Sequence, residues 1–257
     1  MPTINRSGVE IFYSTVGSGP PVLWHTGGGG DGSMWQTAGY LDALPGRCHI
    51  LLDHRGHGRS GKPKDLAAHR VDEYIADVLA VLDAAAGGKA VAVGYSDGGY
   101  LLYVLASRYP DRIAALVGIG GVARAGDTND WRYGIADATR KSGLRRYAQQ
   151  MSDREPQPAP PWLIENLCQT SDEMFALELE GWADGPLEAD TFPLIQAPTL
   201  ILCGSREDAG NAVEEALKVL PSGEKAVIPD FGHLQAFWRT DVTAPIIRDF
   251  LGRHAPV

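Results

Sequence analysis

Apolar residues recur along this chain in two alternating rhythms. Short, nearly continuous apolar runs stand at Val22-Leu23-Trp24, Ile50-Leu51-Leu52, Ala90 to Val93, Ala114 to Ile119, Thr199 to Cys203 and Ala226-Val227-Ile228. Runs of this length, bounded by glycine, proline or polar clusters, predict strands buried on both faces. Between them the period changes. Val71, Tyr74, Ile75, Val78, Leu79 and Leu82 recur at helical spacing until Gly87-Gly88, and Leu101, Leu102, Val104 and Leu105 form a second helical stripe ended by Tyr109-Pro110. Near the start, Val9 to Thr15 alternates into Gly17-Ser18-Gly19-Pro20-Pro21, which predicts a strand and a turn. Strands alternating with amphipathic helices imply an α/β fold, with a mainly parallel central sheet flanked by helices.

The rhythm breaks between residues 121 and 190. This stretch is polar and helix-prone, is interrupted by Glu155-Pro156-Gln157-Pro158-Ala159-Pro160-Pro161, and carries Trp131, Tyr133, Tyr147, Met151, Trp162, Phe175 and Trp182. We expect a helical insert over 121–190, between core segments 1–120 and 191–257. Its aromatic density suits the roof of an apolar pocket, although any one of these rings could equally bury against the sheet.

Composition narrows the class further. A chain of 257 residues with 44% hydrophobic content can bury one large core. The net charge of −9 argues against a nucleic-acid partner, because counterion release needs clustered Lys and Arg. Cys48, Cys168 and Cys203 show no C-x-x-C spacing, so a reduced, cytoplasmic protein is the expectation. No basic region followed by an apolar stretch opens the chain, and no run of 18 apolar residues occurs, so neither secretion nor a membrane partner is expected. The expected partner is a small-molecule substrate; oligomeric state is left open.

Candidate chemistry centres on Gly94-Tyr95-Ser96-Asp97-Gly98-Gly99, a G-x-S-x-G sequence between a predicted strand and a predicted helix. Small residues two before and two after the serine permit a turn too tight for side chains, which forces the hydroxyl outward. The N–H of Asp97 then lies at a helix N-terminus, where unpaired donors favour developing negative charge. A serine nucleophile needs a histidine base and an orienting carboxylate. His233, in Pro229-Asp230-Phe231-Gly232-His233 after an apolar run, is the best placed of seven histidines, on what we expect to be a loop. The carboxylate should follow another strand, and Ser205-Arg206-Glu207-Asp208 follows the run ending at Gly204.

Two rival readings compete. Gly27 to Gly32 also satisfies G-x-G-x-x-G with Asp53 downstream, a dinucleotide fingerprint, but that reading leaves Ser96 and His233 unexplained, and no cofactor is expected. His54 and His57 could tempt a metal assignment with Asp53, yet no H-E-x-x-H or cysteine cluster completes a site, so no metal is expected either.

The elbow and the chain order of serine, acid and histidine resemble the α/β-hydrolase family, over nearly the whole chain apart from the insert. His25-Thr26-Gly27-Gly28 resembles that family's His-Gly oxyanion loop, and Asp53 to Ser60 resembles its Asp-x-Arg-Gly-His-Gly-x-Ser turn. The resemblance implies a cap at 121–190 and a Ser96, Asp208, His233 triad. Its usual acid spacing would select Glu207 instead, which stays as the alternative; Asp208 needs one extra residue in the turn. It implies oxyanion donors at the amides of Asp97 and Gly27, with Gly28 as the alternative because Thr26 replaces a usual glycine, and a supporting role for His25. Trp35, Trp131 and Trp162 are candidate substrate contacts, and Asp97 could bind a substrate ammonium. The implied activity is hydrolysis of a small, partly apolar ester, thioester or lactone through an acyl-enzyme. Carbon–carbon bond hydrolysis, peracid formation and a ligand-sensing receptor with a slow or incidental triad are the alternatives.

Overall fold

Each apolar run becomes a strand, and their order in space sets where chemistry can occur. The structure is a computed structural model that describes residues 2–123, 127–207 and 211–257. Its strands are β1 (Thr3–Arg6), β2 (Val9–Val16), β3 (Pro21–His25), β4 (Cys48–Asp53), β5 (Ala90–Tyr95), β6 (Ile113–Ile119), β7 (Thr199–Gly204) and β8 (Gly223–Ile228). They form an eight-stranded sheet in the order β1-β2-β4-β3-β5-β6-β7-β8. β2 pairs antiparallel with β1 and β4, and every other pairing is parallel. From β3 the chain steps one way to β4 and then back across to β5. The C-terminal ends of β3 and β5 therefore sit side by side at the point where strand order reverses, with His25 opposite Gly94. Such a switch point is where open α/β sheets form a crevice.

The helices are α1 (Ser33–Thr37), α2 (Tyr40–Ala43), α3 (Val71–Ala85), α4 (Asp97–Arg108), α5 (Trp131–Ser142), α6 (Leu144–Asp153), α7 (Pro161–Leu167), α8 (Asp172–Ala183), α9 (Glu188–Thr191), α10 (Ala212–Val219), α11 (His233–Trp238) and α12 (Thr240–His254). They cover the sheet on both sides. Leu23, Ile50, Leu52, Ala92 and Ile201 pack with Val78, Leu82, Leu101, Leu105 and Val213 from α3, α4 and α10. The alternate residues Trp24, Leu51, Val93, Val117 and Leu202 pack on the other face with Trp35, Tyr40, Phe237, Ile247 and Phe250. Both faces being dry is why these strands are apolar without alternation. No helix among the described residues is long and apolar enough to cross a membrane.

β1 was not expected. Ile4 is its single apolar residue, half-buried against the core, and the strand is held at the sheet's edge by pairing with β2, so four residues carry too little hydrophobic signal to predict it. Between β6 and β7 the described chain is helical from α5 to α9, and α5 packs on α8.

Candidate active site

Ser96 occupies the corner between β5 and α4 with φ 55° and ψ −127°, a conformation costly for a residue with a side chain. Its N–H donates to Ile119 O at 2.8 Å, which anchors the strained turn to β6. A Cβ at Gly94 would run into Gly98 O at 2.5 Å, and one at Gly98 would overlap the carbonyls of His25 and Thr26. The glycines thus let the elbow close against the end of β3.

His233 and Glu207 complete a hydrogen-bonded chain. The imidazole Nε2 lies 3.0 Å from Ser96 Oγ, and Nδ1 lies 2.6 Å from Glu207 Oε2. Because the carboxylate can only accept, Nδ1 carries the proton and Nε2 presents its lone pair to the serine hydroxyl. His233 is not on a loop: it is the first residue of α11. Tyr95 stacks on its ring at 5.0 Å, and the Tyr95 hydroxyl donates to His233 O at 3.4 Å.

The carboxylate that meets Nδ1 is that of Glu207; Asp208, the residue first favoured, lies outside the described residues. A turn closes from Gly204 O to Glu207 N at 3.1 Å, and Glu207 Oε1 accepts the Gly204 N–H at 3.1 Å. That tight turn aims the third residue after β7 at the histidine. Burial alone would raise the Glu207 carboxyl, but the charge and hydrogen bond of His233, with backbone donors at Gly204 and Gly121, hold it below its usual value. Burial would lower His233, and the charge and hydrogen bond of Glu207, with charges on Glu155 and Asp97, carry it above its usual value.

Gly27 lies against Ser96. A Cβ there would stand 2.6 Å from Ser96 Cβ and 3.2 Å from Ser96 Oγ, whereas one at Gly28 would meet the ring of Phe175 at 2.6 Å. Asp97 is the first residue of α4, so its N–H has no intrahelical acceptor. His25 turns its Nδ1 to Thr26 O at 2.8 Å, and burial with the neighbouring His54 pushes it down to about 3, so it is neutral and shapes the loop.

The turn after β4 supports that loop from below. Arg55 forks onto Asp77 of α3, with Nε and Nη2 at 2.7 and 2.6 Å from its two oxygens. Asp53 accepts the N–H groups of Gly32 and Arg59, both at 2.9 Å, so the acidic residue of the dinucleotide fingerprint is committed to pinning two loops. Gly29 N–H donates to His57 Nε2 at 3.0 Å.

Sequence reasoning missed two buried groups here. Glu178 of α8 reaches His57 Nε2 at 3.1 Å and His54 Nε2 at 3.5 Å. These three buried side chains have ligand atoms within 4.8 Å of one another. The His57 Nδ1 faces Arg55 O at 3.2 Å and so bears the proton, which leaves its single lone pair to the Gly29 amide rather than to an ion. The other is Arg132 of α5, whose Nη1 lies 2.6 Å from Asp97 Oδ1. Its guanidinium sits over Trp131 at 4.6 Å and Tyr100 at 5.0 Å. Asp97 is thereby neutralised from within, which counts against its offering a free charge to a substrate ammonium. Glu178 stands in the apolar stretch of α8, which was a sequence signal for it; Arg132, in a polar helix, gave none.

A cavity of about 260 Å³ opens beside Ser96, lined by Gly27, Gly28, Asp97 and His233 below and by Leu144, Tyr147, Met151, Phe175 and Leu179 above. Of the candidate tryptophans, Trp131 lines it. Trp35 does not: it is 0% exposed and packs at 4.7 Å on Trp24 and 5.0 Å on Phe237. Trp162 is half-buried against the cluster on that same face of the sheet.

Comparison with known proteins agrees with this fold. A profile described as alpha/beta hydrolase fold matches residues 20–240. The chain is 30% identical over 168 residues to a 3-oxoadipate enol-lactonase 2 of Acinetobacter baylyi, covering 62% of this chain and 61% of that relative, which is less than two thirds of its length. A thermophilic esterase from Thermogutta terrifontis superposes with a TM-score of 0.79 at 26% identity, over 98% of this chain and 97% of that one. An enol-lactonase from Burkholderia xenovorans LB400 shares the fold, with a TM-score of 0.79 at 21% identity over 97% and 99% of the two chains. The switch-point crevice, the strained serine between β5 and α4, and the match over residues 20–240 together make this chain a member of the alpha/beta hydrolase fold family.

Proposed function

We propose that this protein is a serine hydrolase that cleaves a small, partly apolar ester, thioester or lactone through an acyl-enzyme on Ser96. The observation that carries this reading is the unbroken chain from Ser96 Oγ to His233 Nε2 at 3.0 Å and from His233 Nδ1 to Glu207 Oε2 at 2.6 Å. His233 takes the hydroxyl proton as Ser96 attacks the carbonyl carbon. Glu207 keeps the imidazole in the reactive tautomer and stabilises the imidazolium that forms. The amides of Asp97 and Gly27 receive the oxyanion, each contributing of order 3 kcal/mol in the transition state. His233 then protonates the leaving oxygen or sulfur, and water, deprotonated by the same imidazole, releases the acid. The apolar lining from Leu144, Met151, Phe175 and Leu179 supports a partly apolar acyl group, and the size of the cavity supports a small one. Segment 121–190 acts in this reading as the cap that excludes water.

The reading is tested by fluorophosphonate labelling with peptide mapping. Label on Ser96 that disappears in His233→Ala is the expected result. Full ester turnover by purified Ser96→Ala would end the proposal.

A further inference from the structure

The first turn of α11 is held by a residue from the other side of the cavity. Glu155 follows α6, its N–H closing a turn onto Ser152 O at 3.1 Å. Its carboxylate accepts the N–H of Leu234 at 2.9 Å through Oε1 and the N–H of Gln235 at 3.3 Å through Oε2. These amides belong to a helix start, where backbone donors have no partner of their own and a negative charge is stabilising. His233 is the residue immediately before them.

Gly232 fits the same contact. Its φ of −99° and ψ of −166° suit any residue, so no backbone requirement selects glycine. A Cβ at this position would instead overlap the Glu155 carboxylate, 2.6 Å from Oε1 and 2.7 Å from Cδ. The missing side chain at 232 is the space that the carboxylate occupies.

We propose that Glu155 is a positioning residue for His233: it ties down the first turn of α11 from the segment between β6 and β7, and so fixes the imidazole between Ser96 and Glu207. The inference rests on the reading of His233 as the general base. It makes docking of that segment a condition for an aligned triad, because withdrawing α6 withdraws the carboxylate. It also adds charge near the imidazole. The ionisable groups facing His233 are Glu207 on Nδ1, Asp97 beside Ser96, whose charge Arg132 offsets, Tyr95 stacked on the ring, and Glu155 at the helix start. Of these, Glu207, Glu155 and Asp97 favour the imidazolium.

The test uses the full chain, with the His233 imidazole titrated by NMR and p-nitrophenyl butyrate hydrolysis followed in parallel. Glu155→Gln removes the charge and keeps one accepting oxygen, so the His233 midpoint should fall by about half a unit or more. Glu155→Ala should lower kcat roughly 10- to 100-fold with KM nearly unchanged, the cost of a misplaced base. Glu155→Gln should recover part of that kcat without restoring the midpoint. Gly232→Ala should reproduce Glu155→Ala, and the double variant should be no worse than either single one. A folded Glu155→Ala with wild-type kcat and an unmoved His233 midpoint would overturn the proposal. Turnover surviving in Ser96→Ala would overturn the serine mechanism instead, and the NMR midpoint would still judge Glu155.

Discussion

Arg132 and Asp97 form an ion pair beside Ser96, Nη1 to Oδ1 at 2.6 Å, with side chains 3% and 12% exposed. The pair joins α5 to the turn that carries Ser96, since Asp97 follows it directly. A buried pair gives little net stability over an apolar substitute, but removing one partner strands the other's charge. Arg132→Met should therefore cost about 3 kcal/mol in urea unfolding. Adding Asp97→Asn should recover most of that loss. Equal destabilisation by the single and the double variant would show that the pair is not coupled.

Glu207 rather than Asp208 should be the acid that matters. Glu207→Gln leaves a group that can donate to Nδ1 and so stabilise the unreactive tautomer, and kcat should fall roughly 10³- to 10⁴-fold. Asp208→Asn should stay within about threefold of wild type, because His233 Nδ1 has one proton to give and Glu207 accepts it at 2.6 Å. Steady-state kinetics on the two variants decides between them.

Activity and stability should respond to pH in opposite senses at the triad. His233 is raised above 6.5, so the acidic limb of kcat/KM should lie above that pH, where the imidazole loses its proton. A histidine raised by folding contributes stability that is full below 6.5 and is lost as pH rises through its folded value. Glu207 is depressed, so its contribution is present above 4.5 and lost as pH falls through its folded value. The pair is thus most stabilising between 4.5 and 6.5, where the base is protonated and turnover is low. A pH–rate profile beside unfolding curves at matched pH checks both limbs.

Glu178 should make the wild type less stable as pH rises. Burial pushes its carboxyl up to about 7, with the charge of His57 opposing and that of Asp97 adding. Between the ordinary 4.5 and about 7 the folded state keeps a proton that the unfolded chain has lost, so stability falls across that window. Glu178→Gln cannot titrate, and its amide can donate to the unpartnered Nε2 of His54. Relative to wild type it should gain of order 2 kcal/mol at pH 8 compared with pH 5, read by urea unfolding. The same difference at both pH values would mean that Glu178 does not titrate there.

The elbow was legible because its determinants are local. An apolar run, glycines two residues either side of Ser96 and an apolar helical stripe after it are properties of one short stretch, and the backbone follows them. His233 was legible for a similar reason, standing just after an apolar strand, though its place at the head of α11 was not. Trp35 could not be assigned, since an aromatic ring near a glycine loop has the same local signature whether it faces a cavity or, as here, packs under the sheet on Trp24, Tyr40 and Phe237.

What the sequence determined by itself was the class of fold and the local turn at Ser96, which is why Ser96 and His233 could be proposed as nucleophile and base, because periodicity and turn chemistry are set by neighbours in the chain. The tertiary structure alone decided which carboxylate meets His233, that Arg132 neutralises Asp97, that Glu178 closes under the glycine loop after β3, and that Glu155 caps α11. Each is a contact between segments that the spacing of residues does not relate, and each depends on a distance of about 3 Å that only the folded chain sets.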